Sequence, residues 1–449
     1  MLVPQSMSGR KVGILGLGLS GMAAARALSA AGAMTWLHDD HLTMQGDMPS
    51  GATLCGWQDW PWDQLSSMVI SPGIPHRHPV PHPAAARAAA AGIEVISEIE
   101  IAMRAAPAAR IVAITGTNGK STTTALTGHC LRAAGRHVAV GGNIGDAACN
   151  LDDPGAGGVI VLELSSYQLE TTPSLRADIA MLLNITPDHL ARHGGMEGYV
   201  AAKSRILDAA GTGGLVIMGP DAPLGALAER HRESGGTVTV VTADDAPAGI
   251  EGVPALAGPH NAENAAAAAA CLSALGLGAA EIAGGMASFA GLPHRLQTVA
   301  RANGISFVND SKATNGVATA KALAAFDNIY WIAGGEAKED GLGPAAGDTT
   351  RVTHAYLIGS SAPSFAAELD GKLDISLSGD LENATTSAFA DASAARTRDG
   401  RDATILLSPA AASFDQFASF VARGEAFTAL ACRLAGDAAP PATQGGAHA

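Results

Sequence analysis

Cysteine is scarce and scattered, with five in 449 residues at Cys55, Cys130, Cys149, Cys271 and Cys432 and no C-x-x-C pair. That spacing argues against a zinc ribbon or a disulfide framework and points to small buried hydrophobes in a reducing compartment. Aromatics make up 4% and charged residues 16% of the chain, and no basic run interrupts a net charge of -14. Such a balance speaks against nucleic acid or an anionic membrane as the main partner, while leaving locally basic pockets open to anionic metabolites. The N-terminus has no long apolar run behind a basic start, so no signal peptide is read. The most apolar helix candidate, Ala265 to Ala280, is short and small-residued, which suits a buried core helix and not a membrane span. A cytoplasmic globular enzyme of two to four domains fits a chain that is 47% hydrophobic.

The stretch with the strongest chemical signal is Ile111 to Thr124, I-V-A-I-T-G-T-N-G-K-S-T-T-T. A β-branched run reads as a buried strand, a turn holds Gly116 and Gly119, and a helix opens with Lys120, Ser121 and Thr122. Small residues let backbone N–H groups face phosphates, the helix N-terminus adds partial positive charge, and lysine adds a full one. A hydroxyl directly after the lysine suits the Mg²⁺ that accompanies ATP. The strict phosphate-loop pattern wants glycine where Ile114 stands; an ordinary glycine turn is the plain alternative.

Upstream, Lys11 to Leu15 reads as a strand, Gly16 to Gly21 as a G-x-G-x-x-G turn, and Met22 to Ala31 as a helix. A second strand follows, ending at His38-Asp39-Asp40. The acid about twenty positions after the glycines completes a dinucleotide fingerprint. The same geometry serves any diphosphate, so an NAD-dependent oxidoreductase and a nucleotide-diphosphate sugar site both remain open. Val69 to Ile74 is another strand running into a turn with Gly73. His76 to Pro83 reads as a solvated loop, lacking a Cys or carboxylate at ligand spacing.

Past the phosphate loop, Val159 to Leu162 forms a strand that delivers Glu163 to the sheet edge, where a phosphate-loop enzyme wants a Mg²⁺-binding carboxylate. A helix-capping acid is the competing account, since Ser165 and Ser166 follow. His189 lies just past the strand Ile179 to Leu183, where a ligand is expected. Lys203 sits on a helix of small residues and by default would be a solvated charge. Asn261 and Asn264 share a face near a helix start, suited to a purine edge or to capping. Gly291 to Arg295 closes the central region, and Arg295 could clamp a phosphate. Further strands at 305–308, 329–333, 355–359 and 403–407 alternate with helices, which means a second doubly wound sheet. The tail after about 437 is rich in Pro, Gly and Ala and is expected to be disordered.

The blocks GLGLSG, SPGI, GTNGKST, GGNIG, ELSSYQLE, NITPDH, HNAEN, GLPHR, NDSKATN and SPAAASFDQF occur in one order. In that order they resemble the Mur ligases of bacterial peptidoglycan synthesis, from roughly Val12 to Leu430 and nearest to the branch that adds D-glutamate. The Ile114 loop is this family's own form. The resemblance implies an α/β fold of three domains: a Rossmann-like UDP-substrate domain (1–98), a phosphate-loop ATP domain (99–298) and a Rossmann-like amino-acid domain (299–449). It implies ATP on Gly116, Thr117, Asn118, Gly119, Lys120, Ser121, Thr122, Asn261, Asn264, Arg295 and Asp310. Two Mg²⁺ ions are implied on Ser121, Glu163, His189 and Lys203, the last carbamylated by CO₂. UDP-N-acetylmuramoyl-L-alanine is implied on Leu19, Ser20, Asp39, Gly73, Asn143 and Gln168. D-Glutamate is implied on Lys312, Thr314, Lys338, Ser413, Phe414 and Phe420. Lys120, His189, Lys203 and Arg295 would be catalytic, in a monomer without nucleic-acid or membrane partners.

Overall fold

The computed structural model describes residues 1–41, 48–256, 258–337, 341–347 and 349–436. Their strands form three sheets, and the chain divides into two compact units, one of Met1–Phe289 and one from Ala290 onward. Lys338 and the tail after 437 lie outside the described residues.

The first sheet holds β1 (Lys11–Leu15), β2 (Met34–His38), β3 (Ala52–Leu54), β4 (Ser67–Ile70) and β5 (Glu94–Ile96), all parallel in the order β3-β2-β1-β4-β5. Val12, Ile14 and Leu15 are wholly buried, as expected of parallel strands covered on both faces. The winding reverses beside β1, so the loops after β1 and β4 diverge and open a crevice at the strands' carboxyl ends. The helix after β1 runs Leu19–Ala30, three residues ahead of the predicted Met22, because Ser20 and Gly21 already carry helical backbone.

The second sheet holds β6 (Arg110–Thr115), β7 (Val138–Gly142), β8 (Val159–Glu163), β9 (Ile179–Leu182), β10 (Leu215–Met218) and β11 (Thr237–Val240). Its order β11-β10-β9-β6-β8-β7 puts β6 between β8 and β9, so the loops after all three lie side by side. β10 and β11 escaped the sequence reading: one is four residues long, the other alternates Thr and Val on a largely exposed edge. The predicted single helix from Ala265 to Ala280 is two, Pro259–Ala274 and Ala279–Ala287. Pro at the first turn starts the first one early, and Gly276, at φ 90°, breaks the pair.

These two sheets share one apolar core, in which Val12 and Leu28 cluster with Ile99, Leu162 and Leu182. The helix Glu98–Arg104 enters it with Ile99, Ile101 and Ala102 buried, its start capped by Ser97 Oγ accepting from the Glu100 amide at 3.1 Å. Each of the two fully buried isoleucines stabilises by about 1.5–3 kcal/mol.

The 76–83 segment is largely the exposed loop predicted, open to solvent at 77–80, but two of its histidines are drawn in. His82 Nδ1 accepts from the Ala84 amide (3.1 Å) and so caps the helix Pro83–Ala90, while its Nε2 meets Asp40 Oδ2 at 2.9 Å. His76 is largely buried beside Glu170, 3.8 Å away, and burial pulls its imidazole down to about 4. Long-range packing, invisible in the local composition, supplies these partners.

The second unit carries β12 (Gln297–Ala302), β13 (Ile305–Asn309), β14 (Ile329–Gly334), β15 (Val352–Ile358), β16 (Asp374–Gly379) and β17 (Ala403–Leu407). The order is β12-β13-β17-β14-β15-β16, parallel except for the β12–β13 hairpin. The last strand in sequence lies between β13 and β14. Wholly buried Trp331 crosses to it, donating Nε1–H to the Ser408 carbonyl at 2.8 Å. Gly291 to Arg295 belongs to this unit. Among the described residues no helix is long and apolar enough to cross a membrane. All five cysteines are free, and four of them are buried.

Candidate active site

The three glycines after β1 do three separate jobs. Gly16 turns the chain at φ 89°, in the left-handed region. Gly21 lets helix and turn touch, since a Cβ there would run into the Gly16 carbonyl oxygen. Gly18, at the helix N-cap, faces open space, so its backbone is approachable by a diphosphate. Leu19 and Ser20 form the first helical turn beside it. Asp39 is held at the end of β2, one oxygen accepting from the Leu17 amide (2.6 Å) and the other from the His41 amide (2.9 Å). The carboxylate is thereby fastened to the glycine loop.

The loop after β6 is braced by side chains. Gly119, at φ 82°, packs against Asn264, whose Oδ1 would be struck by a Cβ there. Asn264 Oδ1 also accepts from Thr123 Oγ (3.3 Å), and its amide donates to Asn261 Oδ1 (3.2 Å). Asn264 is therefore a buried brace of the phosphate loop. Asn184 exchanges two hydrogen bonds with the backbone of Asn118, at 2.8 and 3.1 Å, and the Thr117 hydroxyl meets Tyr199 Oη at 2.9 Å. Asn184 and Tyr199 went unremarked as functional in the sequence, although both stand in segments beside His189 and Lys203. Lys120 Nζ folds back on the loop, donating to the Gly116 (2.9 Å) and Thr117 (2.8 Å) carbonyls. Ser121 and Thr122 are nearly buried in the first turn behind it.

Glu163 is 1% exposed at the end of β8. Its Oε1 accepts from the Asn143 amide at 2.8 Å, and its Oε2 is buried with no partner. A buried carboxylate oxygen without a donor is costly unless a cation completes it, and here it sits beside a phosphate-loop lysine's strand. The donor set of a hydroxyl and one carboxylate suits Mg²⁺, which keeps water and substrate phosphates as its other ligands. Among the described residues no three His, Cys, Asp or Glu side chains converge on one metal position. The capping task goes to Ser165, which forms a capping box with Gln168, so Glu163 is free of it. Gln168 Oε1 is thereby engaged by the Ser165 amide and hydroxyl, both at 2.9 Å, and the residue is 2% exposed.

Lys203 is not a solvated charge. It is 2% exposed, donates to the Gly116 carbonyl at 2.7 Å, and lies 4.9 Å from the Tyr199 ring centre. Burial, aided by repulsion from Lys120, lowers its ammonium to about 7. His189 occupies the left-handed region at φ 51°, a strained conformation for histidine that costs on the order of 1 kcal/mol. Its half-exposed ring is 3.5 Å from Asp188 and 5.3 Å from the centre of Tyr167. Lys120, Lys203, His189, Asp188, Asn143, Tyr167 and Gly73 line one cavity of about 260 Å³. The turn after β4 thus meets the loops after β6, β8 and β9 in the first unit.

In the second unit the loops after β13, β14 and β17 share the carboxyl edge. Asp310 is buried, accepting from the Leu296 amide (3.2 Å) and Ser408 Oγ (2.8 Å), and burial lifts its carboxyl to about 7. Arg295 stands between His294 (φ 59°) and Leu296 (φ 45°), and its Nε is buried without an acceptor. Lys312 Nζ lies 5.6 Å over the Phe420 ring. Thr314 is half-buried in the same loop, Ser413 is buried, and Phe414 is 70% exposed. Arg423, which the sequence reading did not single out, is 1% exposed and donates to the carbonyls of Ser311, Ala411 and Ala412, at 3.0, 3.0 and 3.1 Å. It ties the loops after β13 and β17 together.

Comparison with known proteins bears on the same loops. The Mur ligase middle domain matches residues 114–253, and the Mur ligase glutamate ligase domain matches residues 294–411. The UDP-N-acetylmuramoylalanine--D-glutamate ligase of Caulobacter sp. (strain K31) is 43% identical over 460 residues, covering 96% of this chain and 97% of its own. Its namesake from Rhodospirillum rubrum is 44% identical, covering 95% of both chains. Among solved structures, UDP-N-acetylmuramate-alanine ligase MurC from Thermotoga maritima aligns with TM-score 0.57 at 16% identity over 93% of this chain and 98% of that one. E. coli FolC in complex with ADP aligns at 0.51 and 21% over 73% and 90%; both likenesses concern the fold. With the glycine loops, the orphaned carboxylate and the buried lysine in place, near-full-length identity of this order leaves one conclusion: the chain belongs to the Mur ligase family.

Proposed function

We propose that this chain is an ATP-dependent amide ligase that adds D-glutamate to UDP-N-acetylmuramoyl-L-alanine in peptidoglycan precursor synthesis. The observation that carries the reading is the 260 Å³ cavity, where a phosphate-loop lysine, a second buried lysine and a strained histidine meet the turn after β4. The relatives' shared name supports the choice of substrates.

A carboxylate does not accept an amine at neutral pH, because its carbonyl is poorly electrophilic. ATP removes that obstacle: the alanyl carboxylate attacks the γ-phosphate, an acyl phosphate forms and ADP leaves. The D-glutamate amine then attacks the acyl carbon and phosphate departs. Gly18, Leu19, Ser20, Asp39 and Gly73 would seat the uridine diphosphate, and Asn143 and Gln168 the muramoyl end, the last through its amide N–H. The 116–122 loop, with Asn261 and Asn264, would hold ATP, and Lys120 would swing from its carbonyls onto the phosphates. Ser121 and Glu163 would hold one Mg²⁺, and His189 and Lys203 a second. Bound there, Mg²⁺ supplies positive charge that offsets repulsion between carboxylate and phosphate.

A lysine whose ammonium is lowered to about 7 carries a large neutral fraction at physiological pH, as attack on CO₂ requires. The amine nitrogen bonds the carbon, releases a proton, and becomes a carbamate. That exchanges a cation repelled by Lys120 for an anion able to bind a metal. In the second unit, Lys312, Thr314, Lys338, Ser413, Phe414 and Phe420 are proposed for D-glutamate, and Arg295 and Asp310 for phosphate and nucleotide. A cytoplasmic, monomeric enzyme with three domains near the boundaries 98 and 299 completes the reading.

Phosphate release from ATP and UDP-N-acetylmuramoyl-L-alanine tests it, with D-glutamate, L-glutamate, L-alanine or no amino acid added. Release with D-glutamate alone is expected, falling in CO₂-depleted buffer and recovering with bicarbonate. Release with another amino acid overturns the substrate, and indifference to bicarbonate overturns the carbamate.

A further inference from the structure

Arg192 is used by none of the roles above. It lies in the short helix Leu190–His193, which begins directly after strained His189. Nη2 donates to the carbonyls of Pro72 (3.0 Å) and Ile74 (3.2 Å), the two neighbours of Gly73. The guanidinium carbon is 4.6 Å from the centre of the Tyr167 ring. Tyr167 walls the large cavity together with Pro72 and Gly73, and its ring lies 5.3 Å from His189. Nη1 is buried without a protein acceptor, and Arg192 lines a second cavity of about 10 Å³ beside Ser71 and Gln168, room for one water.

One side chain therefore grips the turn after β4 of the first sheet and the aromatic wall after β8 of the second. It does so from the segment that carries His189. A planar guanidinium can bond two carbonyls and lie over a ring at once; a lysine ammonium on a flexible stem cannot hold all three. The phosphate loop has separate braces in Asn184, Tyr199 and Asn264.

We propose that Arg192 is a positioning residue for the nucleotide-sugar substrate, holding the Pro72–Ile74 turn and the Tyr167 ring in register with His189. The proposal rests on the ligase reading for its kinetic form. It predicts a division between substrates: losing Arg192 loosens the nucleotide-sugar seat and spares the ATP seat. A residue that merely supports the fold would weaken both together.

The test is steady-state kinetics of Arg192→Lys and Arg192→Ala, with melting curves and calorimetric binding of UDP alone. Arg192→Lys is expected to raise KM for the UDP-substrate about tenfold, the cost of one or two charge-assisted bonds, with KM for ATP within about twofold. Its melting temperature should stay within about 2 °C of the parent. Tyr167→Leu should give the same division, and the double variant should be less than additive because the two groups act as one. Equal rises in both KM values, or an unchanged KM for the UDP-substrate, overturn the proposal. Should Arg192→Ala fail to fold, Arg192→Lys and Arg192→Gln decide. UDP binding does not depend on turnover, so a parent protein that ligates nothing sinks the ligase reading, while the UDP affinities of parent and Arg192→Lys still judge Arg192.

Discussion

Two glycine loops in the first unit look alike in sequence and are held in different ways. The loop after β1 is shaped chiefly by absent side chains: Gly16 turns, Gly21 admits close contact, and Gly18 stays open, while Asp39 and Ser71 each hold one backbone group of it. The loop after β6 has one left-handed glycine and is otherwise propped by Asn184, Tyr199, Asn264 and Lys203, which reach it from three other segments. A seat that only binds a diphosphate can be made largely from backbone. A seat that must also stabilise charge moving between phosphate and carboxylate needs fixed side chains, which the protein holds in place before the substrate arrives.

The largest expected break in this comparison is Lys120→Ala, which should lower kcat by about 10³-fold with little change in melting temperature. Phosphate release and a melting curve measure both. A loss under tenfold would place the charge elsewhere. Next come two glycines of the backbone-made loop. Gly21→Ala should destabilise the protein by about 1–3 kcal/mol, since the new methyl meets the Gly16 carbonyl. Gly18→Ala has open space and an ordinary φ of -68°, so it should melt within about 0.5 kcal/mol of the parent while binding UDP more weakly. Equal stability losses in the two variants would refute the division of labour assigned to the glycines.

An effect that appears only as pH changes sharpens the other loop. Lys203, lowered to about 7 when folded against the ordinary lysine value of 10.5, holds its proton less tightly in the native state than in the unfolded chain. Below about pH 7 the buried charge costs its full penalty, and stability should rise with pH from there toward 10.5. In CO₂-free buffer, Lys203→Met should therefore be more stable than the parent at pH 6, by on the order of 1–3 kcal/mol, with the gap shrinking by pH 10. Denaturant midpoints at the two pH values check this, and a constant gap would mean that the amine is charged throughout.

Much of this was legible because it is local. Strands such as Val159–Glu163 declare themselves by unbroken apolar runs, and both glycine loops by spacing between a strand and a helix. Glu163 could be placed at the sheet edge from its strand alone. Whether it capped the following helix could not, and Ser165 settles that in space. The drawn-in histidines of the 76–83 loop were not legible for the same reason, since Glu170 and Asp40, the partners of His76 and His82, are far away in sequence.

By itself, then, the order of residues determined the recurring strand-and-helix units, the phosphate loop and the acid at its side, for these depend on neighbours within a few positions. Only the tertiary structure decided that Lys203 is buried against Gly116, that Asn264 braces Gly119, and that Arg192 joins two sheets' loops. The physical reason is one of range. Backbone preference and periodicity act along the chain, whereas burial, desolvation and side-chain hydrogen bonding are fixed by whatever folding brings alongside.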